Sequence, residues 1–271
     1  MTELVDTHCH IQSIGAGKGE RTTSELWANA HDLKADEVIS EAVELGVTKM
    51  ICVGCDLADS QLAIDFVQDR AACWASVGIH PHEAEAYAGN DAILAQFAEL
   101  ASRPKVVAIG ECGFDYYYNR SPKEAQTELL KFQIELALKH NLPLIFHVRE
   151  AFDDFWPIFD QYQGIRGVLH SYTDNAVNLS KAIERGLFIG VNGIATFTKK
   201  PEQLEVYRSI PSDKLLLETD APFLTPTPYR GNINEPKRVV TIADFVADIR
   251  GQDLEKLSAV TTSNARGLFG I

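Results

Sequence analysis

Short runs rich in β-branched and apolar residues alternate with longer amphipathic stretches from one end of this chain to the other. No other feature of the sequence limits the fold as much. The runs cover 4–10, 49–55, 74–80, 106–112, 144–148, 167–171, 188–192 and 215–220. Between them, 34–45, 60–71, 91–101, 122–140 and 175–185 carry apolar residues at helical spacing. Pro122 after Ser121 reads as a first-turn proline behind a capping hydroxyl, and Gly46 and Gly186 read as helix stops. Two further helices are expected at 237–249 and 254–268. Strands separated by helices pair in parallel through crossover connections. Eight such units close into a (β/α)₈ TIM barrel, an α/β fold whose active sites form at the C-terminal face of the strands. An open doubly wound sheet is the runner-up, but no phosphate-binding glycine fingerprint follows an early strand. A length of 271 residues suits one such barrel, so a single domain is expected over 1–271.

Two connections stand out. The stretch 13–33, between the first strand and its helix, is polar and long enough to suggest a functional loop, with Lys18 and Arg21 available to meet phosphates or the whole segment solvated and mobile. The segment 221–236 carries Pro222, Pro226, Pro228 and Pro236, which restrict the backbone and suit an ordered rim loop.

Composition narrows the function. At 45% apolar and 23% charged, the chain has enough hydrophobic material for one large core. Its net charge of −13 repels polyphosphate, so tight non-specific binding to duplex is not expected. Divalent cations and a few local arginines can still reverse the field inside one cleft. The N-terminal MTELVDTHCH has no basic stretch followed by an apolar run, so no signal peptide is expected, and no apolar segment is long enough to span a bilayer. Cys9, Cys52, Cys55, Cys73 and Cys112 are odd in number and sit mostly in apolar runs, which points to reduced thiols in a cytoplasmic protein. Cys52 and Cys55 form a CxxC, but no second CxxC or neighbouring His completes a zinc site.

The chemistry lies at the strand ends. The first strand finishes in His8-Cys9-His10, and Glu111, His147, His170 and Asp220 stand at or near the ends of the fourth, fifth, sixth and eighth. Residues i and i+2 of a strand share a face, with Cα atoms roughly 6–7 Å apart. His8 and His10 can therefore converge on one cation while Cys9 points into the helix layer. The same parity groups Val107, Ile109 and Glu111, Ile145 with His147, and Val168 with His170. Four imidazoles and two carboxylates exceed the three protein ligands usual for one catalytic zinc. They suit two cations about 3.5–4 Å apart. On this reading His8, His10, Glu111 and Asp220 hold one and Glu111, His147 and His170 the other, with Glu111 bridging. Asp220 would orient the attacking water or accept its proton. Taken singly, each histidine has an ordinary reading as a hydrogen-bonded core residue. The coincidence of ligand types at five strand ends is what argues for metal.

VDTHCH, GIHPH, GECGFDY, IFHVR, the sixth-strand His170, LLLETDAP and RGNINEP occur in that order. The pattern resembles the TatD family of metal-dependent deoxyribonucleases, in the amidohydrolase-like superfamily of barrels, from Val5 to about Asn264. The resemblance implies that His8, His10, Glu111, His147, His170 and Asp220 match metal-binding positions. It implies dependence on divalent cations (Mg²⁺, Mn²⁺ or Zn²⁺) and hydrolysis of DNA, in some members 3′–5′ from the ends of single strands. Two departures are visible. Ser171-Tyr172-Thr173-Asp174 replaces the family's usual Cys-Phe-Ser-Gly, and the 13–33 stretch is longer than the family's.

Other residues have two readings each. His80 faces the same rim and is taken, with Arg149 and Arg230, as a substrate contact; the plain reading of Arg149 is a rim salt bridge. His82 reads as support for the turn around Pro81, and Asp115 as a partner of a ligand or a structural acid. Glu218 should lie below the cations in a hydrogen-bonding role, and Asn234 reads as a helix cap. His31 and His140 look like surface residues. Tyr116, Tyr117 and Tyr118 offer a ring for stacking on bases, although at least two of the three are expected to pack or lie exposed. Two rival functions use the same site: hydrolysis of another ester or amide, such as an aminoacyl ester of tRNA or a lactone, and a non-catalytic metal-stabilised binding protein.

Overall fold

The computed structural model describes residues 3–15, 22–30 and 33–271. Among them, eight strands pair in parallel in chain order: β1 (Leu4–Cys9), β2 (Val47–Val53), β3 (Cys73–Val77), β4 (Val106–Asp115), β5 (Leu144–Arg149), β6 (Gly167–Leu169), β7 (Phe188–Val191) and β8 (Leu215–Leu217). Outside them run helices α1 (Thr22–Ala28), α2 (Ala35–Glu44), α3 (Leu57–Val67), α4 (Ala84–Tyr87), α5 (Asp91–Leu100), α6 (Lys123–His140), α7 (Phe152–Phe159), α8 (Ala176–Glu184), α9 (Ile194–Phe197), α10 (Pro201–Ser209), α11 (Val239–Arg250) and α12 (Leu254–Phe269). This is the TIM barrel that the alternation predicts.

The ring closes between β8 and β1 by a seam built largely from side chains. Backbone pairing there is a single parallel bridge, Cys9 to Ala221, with His10 N donating to Ala221 O and Asp220 N to His8 O, both at 2.8 Å. Below it, Asp6 accepts from Thr219 N at 2.9 Å and from the Thr219 hydroxyl, and the Thr7 hydroxyl donates to Leu217 O at 3.1 Å. β8 therefore ends at Leu217, three residues before the expected point, because the chain beyond it bonds to β1 through these groups.

Two apolar layers follow from strand alternation. Val5, Ile51, Val53, Val107, Ala108, Ile145, Val168 and Leu216 fill the barrel interior. Ala265, Leu268 and Phe269 of α12 join that cluster. α12 is tied to the N-terminal ends of β1 and β8, through Thr262 Oγ1 to Glu3 O and Asn264 Nδ2 to Leu215 O. It plugs the N-terminal mouth. Larger side chains such as Phe97, Phe114, Phe146 and Phe155 pack between strands and helices, each contributing roughly 1.5–3 kcal/mol by burial.

Several local expectations change. α6 begins at Lys123, and Ser121 does not cap it: its hydroxyl donates to His82 O and accepts from Glu85 N, bracing the 81–87 turn. The stretch 13–33 is not wholly a loop. It contains α1, and the buried Trp27 indole donates to His10 O at 3.0 Å. Lys18, Arg21 and His31 lie outside the described residues. α7 and α10 were not expected, since α7 is a short, aromatic-rich segment with Pro157 inside it and α10 is polar on most faces. His140 is half-buried rather than a surface residue, with Nε2 enclosed and unpaired. No helix among the described residues is long and apolar enough to cross a membrane.

Candidate metal centre

All six proposed ligands meet at the C-terminal ends of the strands. Glu111 is their hub, and its two carboxylate oxygens face different groups. Oε2 lies 3.6 Å from His8 Nε2. Oε1 lies 2.7 Å from His147 Nδ1 and 3.1 Å from His170 Nε2. On the first side, His8 Nε2 and His10 Nε2 are 3.3 Å apart, and Asp220 Oδ1 is 3.7 Å from one and 3.3 Å from the other. Side-chain exposure is 6% or less for His8, His10, Glu111 and His170, and 16–17% for Asp220 and His147, so the last two form the open lip.

Strand irregularities aim these side chains. The β1–β2 register shifts between Asp6 and Cys9, so His8 and His10 both turn inward while Cys9 packs in the outer layer. The β4–β5 register shifts between Ile109 and Cys112. Simple alternation therefore fails there: Ile109 joins the outer layer, and the inward position passes from Val107 and Ala108 to Glu111. Asp220 takes φ +59°, a left-handed conformation that costs an aspartate on the order of 1 kcal/mol. Its amide bond to His8 O holds that turn and directs the carboxylate back to His10.

Three histidines have a tautomer dictated by their outer partner. His10 Nδ1 lies 2.9 Å from Val53 O, His147 Nε2 lies 3.1 Å from Asp115 Oδ2, and His170 Nδ1 lies 3.2 Å from Glu218 Oε1. Each partner can only accept, so the neutral ring carries its proton outward. The remaining nitrogen of each ring then presents a lone pair to Glu111 or Asp220, which also hold only lone pairs. Lone pairs converging at 2.7–3.3 Å require positive charge between them. The donor set fits divalent cations with mixed nitrogen and oxygen ligands. Protons supply the charge otherwise. Burial opposes the imidazolium forms of His10, His147 and His170, but the carboxylates outweigh it: Asp220 and Glu111 bring His10 up to about 9, Asp115 and Glu111 raise His147, and Glu111 and Glu218 raise His170. Burial likewise pushes the acids upward, yet the imidazoles hold Glu111 and Asp220 below the usual carboxylate range. His8 is driven down by burial and by the stacked His170 ring 3.8 Å away.

Of the proposed substrate contacts, His80 is in the cluster. Its Nε2 lies 3.5 Å from Glu111 Oε1, its Nδ1 accepts from His82 N, and burial pushes its pKa down to about 4. His82 does more than brace the turn, since its Nε2 shares Asp115 Oδ2 with His147 at 3.0 Å. Arg149 follows on the lip and makes no salt bridge among the described residues; its guanidinium lies 3.9 Å over the Tyr117 ring. Arg230 is exposed on the rim loop, stacked on Phe197 and bonded to Thr225 O. Glu218 takes the expected hydrogen-bonding role, accepting from Ser171 N at 2.6 Å besides His170. Asn234 does not cap a helix: its amide donates to Thr219 O and Phe223 O, tying the rim loop to the end of β8.

One member of the cluster was missed. The Cys55 thiol lies 3.7 Å from Glu111 Oε2 and 4.0 Å from His10 Nδ1, while Cys52 packs in the outer layer, so the CxxC does not act as a pair. The signal was its place just beyond β2, the same station that carries ligands after other strands.

Residues 5–270 match the family described as TatD related DNase. A protein of Bacillus subtilis named as the uncharacterized metal-dependent hydrolase YabD is 34% identical over 270 residues, 99% of both chains. The 3′-5′ ssDNA/RNA exonuclease TatD of Escherichia coli K12 is 35% identical over 247 residues, 87% of this chain and 93% of its own. Among solved structures, the TatD homolog YJJV of Escherichia coli superposes with a TM-score of 0.85 at 23% identity, covering 100% of this chain and 99% of that one.

Proposed function

The chain belongs to the TatD-related DNase family, and from that premise we propose that it is a divalent-metal-dependent nuclease that hydrolyses phosphodiester bonds of single-stranded DNA. The observation that carries this reading is the convergence of outward-protonated imidazoles on carboxylate oxygens, His147 and His170 on Glu111 Oε1 and His10 on Asp220 Oδ1. His8, His10, Glu111 and Asp220 would hold one cation and Glu111, His147 and His170 a second, from Mg²⁺, Mn²⁺ or Zn²⁺. Bound there, divalent cations supply Lewis acidity toward a phosphoryl oxygen and acidify water.

The protein's own groups do the rest. Asp220 stands on the open lip and accepts the proton of the attacking water. His80 carries its proton on Nε2, because its Nδ1 accepts from the His82 amide, and offers that N–H to the phosphate or the departing oxygen. Arg149, next on the lip, offers its guanidinium fork to a phosphate. Asp115 and Glu218 position His147 and His170. A 3′–5′ direction is proposed from relatives named 3′-5′ ssDNA/RNA exonucleases. All five cysteines are unpaired, which suits a reducing, cytoplasmic compartment.

The test is a labelled single-stranded oligonucleotide incubated with purified protein and each cation in turn. Progressive shortening from the 3′ end that stops on chelation is the expected result. Turnover of aminoacyl esters or lactones with the oligonucleotide left intact would overturn it.

A further inference from the structure

Two exposed tyrosines beside the metal centre have no part in the chemistry described above. Tyr116 packs against the outer core, whereas Tyr117 and Tyr118 are 54% and 53% exposed. Their rings meet edge to face at 4.8 Å, and the Arg149 guanidinium lies 3.9 Å over Tyr117 and 5.0 Å from Tyr118. Arg120 lies 5.5 Å from Tyr118.

The other stacked arginines use their N–H groups within the protein. Arg70 pairs with Asp36, Arg185 with Asp160 and Arg238 with Glu235, while Arg230 donates to Thr225 O. Among the described residues neither Arg149 nor Arg120 makes a salt bridge or a side-chain hydrogen bond. In a chain of net charge −13 with acids in excess, cations without a counter-charge beside the catalytic mouth call for an external anion. Aromatic faces combined with unpaired guanidinium groups are what a single strand needs: a surface for a base and a fork for the neighbouring phosphate.

The position is indexed to the cluster. Arg149 is two residues beyond His147 on β5, roughly 6–7 Å along the strand. One oxygen of Asp115 holds His147 Nε2 and the other accepts Tyr118 N at 2.8 Å. The His82 ring, bonded to the same carboxylate, meets Tyr118 edge to face at 5.5 Å. A phosphodiester held at Glu111 therefore has its adjoining nucleotide beside these rings.

We propose that Tyr117, Tyr118 and Arg149 form a stacking platform for the base next to the scissile phosphate, so that the enzyme takes unpaired strands with little regard to sequence. This rests on the phosphodiesterase reading. A duplex keeps its bases stacked on one another and cannot supply the free face.

The experiment compares the metal-loaded enzyme on two single-stranded oligonucleotides, one intact and one with abasic residues next to the cleaved bond. Wild type is expected to show a KM about 5- to 150-fold higher for the abasic strand, the range that stacking on one aromatic ring supplies. The double variant Tyr117→Ala, Tyr118→Ala should raise KM on the intact strand by a similar factor and bring the intact-to-abasic ratio close to one. Tyr117→Phe, Tyr118→Phe should keep the ratio of wild type. A double alanine variant that retains the ratio, or that loses equally on both strands, overturns the platform. Wild type that shortens both strands alike also overturns it, and the nuclease reading survives. Wild type that shortens neither strand with any cation refutes the nuclease reading, and the platform with it.

Discussion

Asp115→Asn is the perturbation that most directly probes the tautomer argument. The carboxylate serves three donors: Oδ2 accepts from His147 Nε2 at 3.1 Å and His82 Nε2 at 3.0 Å, and Oδ1 accepts from Tyr118 N at 2.8 Å. An asparagine has one oxygen for these three. If that oxygen stays on Tyr118, its amide N–H groups face two imidazole N–H groups. His147 must then move its proton to Nδ1, the nitrogen that faces Glu111 at 2.7 Å. If the amide turns over, Tyr118 N loses its acceptor and both rings lose the negative charge. Losing one charge-assisted bond costs about 1.5–3 kcal/mol. That corresponds to about 10- to 100-fold in affinity, the usual effect of removing the outer partner of a ligating histidine. On the proposed two-cation arrangement, the loss should fall on the cation assigned to Glu111, His147 and His170, with the one assigned to His8, His10 and Asp220 changed less than about threefold, since that assignment makes no direct use of the His147 ring. Stepwise competition with a fluorescent chelator, paired with metal analysis of the dialysed protein, separates the two affinities. His82→Ala leaves the His147 bond in place and should cost less than tenfold. Equal weakening of both cations in Asp115→Asn, or no weakening of either, would refute the reasoning.

Three further outcomes are expected. Glu111→Gln and Asp220→Asn should each slow cleavage of a single-stranded oligonucleotide about 10²- to 10⁴-fold, with circular dichroism unchanged; wild-type rates in Asp220→Asn would remove it from the proton transfer. Gly113 has φ +142°, and a Cβ there would stand 2.0 Å from His147 O, backbone that cannot yield cheaply. Gly113→Ala should thus cost on the order of 3 kcal/mol, lowering Tm by roughly 6–12 °C; a melt within a degree or two of wild type contradicts the close approach of β4 and β5. The third concerns pH. In the metal-free protein the raised imidazoles stabilise the fold below their unfolded pKa of 6.5, and that contribution fades as pH climbs through about 9 for His10. The depressed carboxylate of Asp220 stabilises above 3.8 and loses its effect as pH falls below that value. Cations compete with the imidazole protons, so affinity should rise from pH 6.5 toward 9 while the stability of the metal-free protein declines; calorimetric melts with and without Zn²⁺ would show the increment growing, and a flat increment argues against imidazole ligation.

What the sequence disclosed was whatever depends on period. Strand and helix alternation gave the barrel, and the parity of Ile145 with His147 and Val168 with His170 matched the inner layer that the structure fills with Ile145 and Val168. What escaped depends on exceptions to period. Two register shifts, one at Val106/Ala108 against β3 and one between Ile109 and Cys112 against β5, break the column drawn through Val107, Ile109 and Glu111, and no residue in GECGFDY announces them except glycines whose positive φ is invisible without coordinates. Trp27, Ser121 and Asn234 all bond across long sequence separations, so their partners cannot be read from neighbouring residues. α7 escaped because it is only eight residues long and carries Pro157 in its interior, a residue that a sequence reading takes as a helix breaker.

Two of the four register shifts among the described residues, those beside His8 and Glu111, have a common physical cause. A regular strand offers the barrel interior every second side chain, which suffices for a filled core but spaces ligands too widely for one carboxylate to touch several. In β1 one falls between Asp6 and Cys9, around His8, and in β4 one falls between Ile109 and Cys112, around Glu111. Each shift breaks the ladder where a ligand must turn inward out of phase with the apolar residues below it. The bonds lost there are recovered elsewhere: Asp6 and Thr7 bond to the β8 segment, Ser76 Oγ donates to Gly110 O at 2.7 Å, and Glu111 N reaches Gly54 O at 3.3 Å. The polar side chains below the ligands thus substitute for sheet hydrogen bonds, which explains why Asp6, Thr7 and Ser76 are buried in a layer otherwise apolar. A prediction separates this from simple core polarity: Ser76→Ala leaves Gly110 O without the Ser76 hydroxyl directly below Glu111. It should therefore lower cation affinity along with stability, whereas Thr262→Ala, which removes a comparable bond to Glu3 O at the N-terminal mouth, should lower stability by about 1 kcal/mol alone. Equal effects of the two on cation binding, measured by the same chelator competition, would show that the ladder around Glu111 does not position it.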